Sequence, residues 1–186
     1  MKQIYTVGFA LMVLLSMTMS AAASVQYKQK TIDNGYSADA LWSDSSSNTY
    51  LNVYEYQGQT QIYVDICAAD YSSCKLGTTF TSNNVFDENK KLSTATLSSV
   101  TIDMVDTSTG LYVDTLTIQA GWTGVGSLTT TKSTSSTKSG DITSKYSSHT
   151  LFTSATSTGT INGQSLGTSQ FADLYHFDSV SIITIK

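Results

Sequence analysis

The chain contains no proline and no arginine, only two cysteines and two histidines, and 13% charged residues where globular domains usually carry about 25%. Each shortage excludes something. With ten lysines against 14 acids and a net charge of −4, the composition as a whole offers no electrostatic attraction for phosphate backbones or anionic headgroups. Nucleic-acid binding is therefore not expected. Two histidines leave little from which to build an imidazole-based metal or acid–base site, and no cofactor is expected. Absence of proline removes one of the usual blockers of exposed sheet edges.

What is abundant is hydroxyl. Serine and threonine occur 29 times each, together 58 of 186 residues, while 40% of the chain is still hydrophobic. That apolar share is too large for disorder by composition.

Met1 to Ala23 has a cationic start at Lys2, an apolar run from Ile4 to Met17, and then Ser20-Ala21-Ala22-Ala23. This is the pattern of a secretory signal peptide, cleaved before Ser24. Its apolar stretch is shorter than the ~20 residues a bilayer-spanning helix needs, so no membrane insertion is expected after cleavage. Residues 24–186 then form one domain, long enough to bury an ordinary core, and the expected location is extracellular.

Cys67 and Cys74 are an even pair in an exported chain and are expected to form a disulfide. Closing so short a loop contributes about 2.5 kcal/mol on the chain-entropy estimate, which staples one loop and does not hold the fold together. No histidine lies near them to complete a zinc site.

Periodicity of two dominates, and no window after the leader sustains a helical apolar stripe. The expected fold is all-β, a single-domain antiparallel β-sandwich of nine or ten strands, with a β-barrel as the alternative. Tyr36, Ala38, Ala40 and Trp42 alternate with Ser37, Asp39, Leu41 and Ser43, and Asn34-Gly35 before them reads as a hairpin turn. Thr49 to Cys67 reads as a second hairpin turning at Gly58-Gln59, with Val53 opposite Val64 and Leu51 opposite Ile66. That register gives one apolar face and one face of Tyr50, Asn52, Tyr54, Tyr56, Tyr63 and Asp65. Asn83 to Lys91 reads as polar and turn-like, with a short helical turn at Val85 to Asn89. A bulge is expected at Ser98-Ser99 and a turn at Asp106 to Gly110. Gly121 to Gly126 reads as a break, and residues 128–148, with few large apolar groups, as a long polar loop. Asn162-Gly163 marks another tight turn. The chain closes with strands at Phe171–Phe177 and Val180–Ile185.

Three candidate chemistries follow. Gly163-Gln164-Ser165-Leu166-Gly167 matches the G-x-S-x-G elbow, with Asp173 and His176 after it. The elbow needs a strand-to-helix turn in an α/β sheet, which this sequence lacks, so the match reads as accidental and no catalytic residue is assigned. Asp103 with Asp106, or Asp33, Asn34 and Asp39, lack the spacing of a calcium loop and read as turn and strand-surface carboxylates. Most weight falls on the tyrosine-bearing face, Tyr50, Asn52, Tyr54, Tyr56, Tyr63 and Asp65, with Trp42 and Tyr71 as candidate additions. Flat rings stack on sugar faces while amides and carboxylates take up hydroxyls.

Ala38-Asp39-Ala40-Leu41-Trp42, Thr49-Tyr50-Leu51-Asn52-Val53-Tyr54 and Trp122-Thr123-Gly124-Val125-Gly126 together resemble the signposts of a loose group of small secreted β-rich proteins of bacteria and archaea. In that group an A-x-A-x-W strand opens the domain and a W-T-G-x-G element follows a later strand. The resemblance implies an exported single domain and no activity. The lack of arginine departs from the basic residues expected after the second signpost. The expected role is a secreted, non-enzymatic surface, matrix or ligand-binding module with a glycan or cell-surface partner. Two alternatives stand beside it. One is a structural subunit that self-associates through exposed edge strands such as Val180–Lys186, and the other is a small secreted hydrolase using Ser165.

Overall fold

The computed structural model describes residues 27–185, so the leader expected at Met1–Ala23 lies outside the described residues. Eleven strands and no helix are found among them: β1 (Tyr27–Ser43), β2 (Ser47–Tyr56), β3 (Gln59–Ala68), β4 (Cys74–Thr81), β5 (Phe86–Glu88), β6 (Thr94–Asp106), β7 (Tyr112–Gly124), β8 (Thr129–Ser139), β9 (Ile142–Ile161), β10 (Gln164–Thr168) and β11 (Phe171–Ile185). The fold is all-β and antiparallel, as the alternation implied. Its strands form one sheet in the order β10-β9-β11-β1-β2-β3-β4-β6-β5, and β7 pairs with both β6 and β9. The ladders thus lead from β9 through β11, β1, β2, β3, β4, β6 and β7 back to β9. The thinnest seam is β4–β6, where only Lys75, Leu76 and Gly77 are paired.

One core fills the space the sheet encloses. From one side come Ala38, Ala40 and Trp42 of β1, Leu51 and Val53 of β2, Ile62 and Val64 of β3, and Leu174 of β11. From the other come Leu97, Ile102 and Met104 of β6, and Leu116, Ile118 and Trp122 of β7. The two tryptophans tie the sides together. Trp122 donates its indole N–H to the Asp39 carbonyl at 2.8 Å, and Trp42 donates to the Ser157 carbonyl at 3.3 Å. Burying both rings with their N–H groups partnered keeps the apolar gain without leaving a donor unpaired. A Cβ on Gly159 would lie 3.2 Å from the Trp42 ring, so the ring fits because that strand carries a glycine.

Turn chemistry is as expected at Asn162-Gly163, where both residues have positive φ and join β9 to β10. Asp106 accepts the N–H groups of Ser108 and Thr109 ahead of Gly110, and the β6–β7 register shifts between Leu97 and Val100 at the expected bulge. Cys67 and Cys74 face each other across β3 and β4 and form a disulfide.

Several expectations are corrected. Asn34-Gly35 is not a turn: β1 runs straight through it, paired with β11. Gly35 is there for space, since a Cβ would run into the Phe177 ring and the Glu55 carbonyl. The β2–β3 turn is Gln57-Gly58, not Gly58-Gln59, and Val53 faces Ile62 while Leu51 faces Val64. Both differ from the expected register by two residues, so each residue keeps its face. Val85 to Asn89 holds the short strand β5 in place of a helical turn, because buried Phe86 pairs with Leu97. Gly121 to Gly124 continues β7, putting Trp122 in phase with Leu116, Ile118 and Ala120. Phe171 to Ile185 is one strand.

Residues 128–148 are not a loop. β8 and the first half of β9 form a hairpin turning at Gly140-Asp141. Threonine is a good strand residue, and a strand paired at a sheet margin can leave both faces to water. Lack of apolar residues there signals exposure, not irregularity.

This hairpin joins the second half of β11 and the first half of β1 in a four-stranded extension ordered β8-β9-β11-β1. Pairing of β1 with β2 begins only at Gly35, so residues 27–34 have β11 on one side alone. The open edges of this extension are therefore this part of β1 and all of β8. Val180–Ile185, expected as an edge, lies between β1 and β9.

Candidate functional site

Strand alternation sends every second residue of β1, β2, β3, β9 and β11 away from the core, and the registers align these residues in rows. One row runs Phe152, Tyr175, Ser37, Tyr54, Gln61 and Phe80. Beside it run Ser154, Asp173, Asp39, Asn52 and Tyr63. On the other flank are Phe177, Gly35 and Tyr56. All six residues expected from sequence, Tyr50, Asn52, Tyr54, Tyr56, Tyr63 and Asp65, lie on this outer face, partly buried against one another. Trp42 does not join them, being 2% exposed in the core, and Tyr71 stands out on the disulfide loop.

Tyr54, Tyr56 and Phe177 form the centre. Their ring centroids are 5.6, 6.3 and 6.4 Å apart and their planes agree within 22°. Three near-equal separations cannot come from a face-to-face column, in which the outer pair would be twice as far apart. The rings are parallel and laterally offset instead. Phe177 lies across Gly35, where any side chain would displace it. Phe152 and Tyr175 make a second pair at 5.0 Å, and Tyr50 meets Tyr63 edge-on at 6.1 Å.

Carboxylates rim the rings. Asp33 accepts from the Tyr56 hydroxyl and, at 3.4 Å, from Ser179. Asp39 accepts from the Asn52 amide and, at 3.2 Å, from the Tyr50 hydroxyl. Asp173 stands directly across from Asp39, with the Tyr175 hydroxyl at 3.4 Å. Burial pushes the Asp173 carboxyl up; the Tyr175 hydrogen bond pulls it back, and the nearby Asp39 charge adds to the rise. The Tyr50 phenol is pushed up to about 12, first by burial and then by the Asp39 charge, and the phenols of Tyr63 and Tyr175 are raised by burial. These phenols remain hydrogen-bond donors at any physiological pH. The face thus offers flat rings, the amides of Asn52 and Gln61, and acceptor oxygens held in place by neighbours. That set suits neutral polyhydroxylated ligands, whose rings stack and whose hydroxyls donate.

The residues that sequence reasoning missed are Phe152, Tyr175, Phe177, Asp33, Asp39 and Asp173. Asp39 has the right phase in the Tyr36–Ser43 alternation, but nothing local says that β11 lies beside β1.

The serine-hydrolase match does not assemble. Gly163 and Gly167 have positive φ around a short edge strand, and the Ser165 hydroxyl accepts from the Gly167 N–H at 3.1 Å. Ser165 lines a shallow depression of about 420 Å³ with threonines, glycines and Gln119, and no histidine or carboxylate. His176 is on the inner face, stacked on Tyr36 at 4.5 Å and hydrogen-bonded to Asn34 at 3.0 Å. Asp65, Cys67 and Cys74 come together, but both sulfurs are committed to the disulfide.

A second polar locus lies where the core opens toward the extension. Tyr36, Glu55, Asn84, Phe86, Asp87 and Glu88 line a cavity of about 500 Å³. Both carboxyl oxygens of Glu88 are buried without a hydrogen-bond partner. Burial, with the Glu55 charge added, pushes that carboxyl up to about 9, so it is protonated at neutral pH.

Comparison with protein-family models, with curated proteins and with solved structures finds no match.

Proposed function

We propose that this chain is a secreted, non-enzymatic all-β module that binds neutral glycans through the outer face of β1, β2, β3 and β11. The observation that carries the reading is the parallel, offset cluster of Tyr54, Tyr56 and Phe177 beside Gly35, bordered by Asp33, Asp39 and Asn52. Three parallel, mutually offset rings, each partly exposed, offer apolar surface against which the pyranose C–H face can rest. The Cys67–Cys74 disulfide is consistent with an oxidising compartment. The signal-peptide pattern at Met1–Ala23 and the resemblance to small secreted β-rich proteins support export.

Binding of neutral polysaccharides and a glycan array by the purified protein tests the reading. Tyr54→Ala and Phe177→Ala are each expected to weaken binding about tenfold, the loss of one aromatic contact of roughly 1.4 kcal/mol. Tyr63→Ala, at the margin, is expected to weaken it less. Binding unchanged in both Tyr54→Ala and Tyr63→Ala removes this face from the account. Self-association through sheet edges is the second reading, and the open edges of β8 and the first half of β1 favour it. Monomer alone in sedimentation across a wide concentration range would exclude it.

A further inference from the structure

The opposite face of the same sheet is different in kind. Following the registers through the extension, one row is Lys28, Thr184, Thr143 and Lys138. Next come Lys30, Ile182, Lys145 and Ser136, then Ile32, Val180, Ser147 and Thr134, then Asn34, Asp178, His149 and Lys132. These ladders have no register shift, so alternate rows share a face. All five lysines of the extension, half of the ten in the chain, therefore project from one side. All five are exposed, and none takes part in an ion pair among the described residues. The only carboxylate in these rows is Asp178, hydrogen-bonded to Asn34 and 3.5 Å from His176. With strands about 4.8 Å apart and about 6.7 Å between alternate residues, the lysines frame an area of roughly 14 by 20 Å. In a chain of net charge −4, such segregation is a local reversal of sign.

We infer that this lysine face binds an anionic polysaccharide, one bearing uronate carboxylates or sulfate esters. The inference goes beyond the neutral-glycan reading and concerns the other side of the sheet. Between the lysines lie hydroxyls of Thr134, Ser136, Thr143, Ser147 and Thr184, which match a ligand carrying hydroxyls as well as charge. A lipid surface fits less well. Ile32 is the only apolar side chain of these rows more than half exposed, and no aromatic ring dips from them. Nucleic acid fits less well too, for the rows offer neither an arginine fork nor a Tyr, Phe or Trp ring on which bases could stack.

The test uses polygalacturonate and dextran sulfate as probes, with uncharged dextran as control, on the intact disulfide-bonded protein. Both polyanions are expected to bind, with affinity falling on the order of 100-fold between 50 and 200 mM salt for about five neutralised charges. Lys30→Gln with Lys145→Gln is expected to reduce affinity at least tenfold, while Lys90→Gln with Lys91→Gln, off this face, leaves it unchanged. Exposed lysines are replaced without loss of packing, so an unaltered circular dichroism spectrum accompanies the loss. Equal binding by the Lys30/Lys145 variant overturns the proposal. So does tighter binding to anionic phospholipid vesicles or to duplex DNA at the same salt. Tyr54→Ala leaves polyanion binding intact, so failure here and failure of the aromatic reading are separable.

Discussion

Strands β1, β9 and β11 each pass through two environments, and the same face changes character along them. In the closed part, the inward residues of β1 and β11 include Ala38, Ala40, Trp42, Ala172 and Leu174, none more than 3% exposed. A few residues away the same face carries Lys28, Lys30 and Thr184. On the reverse side aromatic rings cover the closed part, while the extension carries mainly hydroxyls with Tyr27, Tyr146, Ile142, Ile183 and Ile185. The difference teaches that alternation specifies the strand, whereas the identity of the alternating residues specifies what lies on each side. Backbone pairing holds the extension; side-chain burial holds the rest.

The largest effect expected from this contrast is in stability. Trp122→Ala removes a ring buried between the two sides of the core and the hydrogen bond to Asp39, and should cost about 3–5 kcal/mol in denaturant unfolding. Thr134→Ala and Ser136→Ala on β8, where every residue is exposed, should each stay within about 0.5 kcal/mol of the parent. Equal losses at the two places would break the comparison.

Next in size is a pH effect at the boundary between the two regions. The Glu88 carboxyl titrates at about 9 in the folded chain, raised by burial and then by Glu55, against its ordinary value of 4.5. As pH rises through that window the unfolded chain releases the proton while the folded chain retains it, so folding loses free energy. Glu88→Gln cannot titrate, and should flatten the fall in Tm between about pH 5 and 9. An unchanged slope would place the pH dependence elsewhere.

The smallest effect is kinetic. Amides of β8, paired on one side only, should exchange with solvent through local opening, while those of β2 and β3 should need near-global unfolding. Uniform protection across both would make the extension part of the cooperative core.

Legibility in the sequence followed the same divide. The strand class, the Asn162-Gly163 turn, the Ser98-Ser99 bulge and the faces of the Thr49–Cys67 hairpin were readable because local alternation and turn chemistry determine them. The two-residue error in that hairpin's register was invisible to facing, since side chains repeat every second residue. Asn34-Gly35 misled because glycine serves two purposes, positive φ in a turn and bare space under a ring, and only the position of Phe177 decides between them. Half the aromatic face was missed because Tyr175 and Phe177 reach it through a long-range pairing. Net charge concealed the lysine face for a simpler reason: a sum carries no positions.

The central claim is that one sheet offers two separate ligand surfaces, rings and fixed acceptors on one side and lysines on the other. Parallel titration of one neutral and one uronate polysaccharide against three proteins tests it most directly: the parent, Tyr54→Ala with Phe177→Ala, and Lys30→Gln with Lys145→Gln. The account predicts that the aromatic variant loses only the neutral ligand and the lysine variant only the acidic one. Loss of both ligands in either variant, or of neither in both, would contradict it.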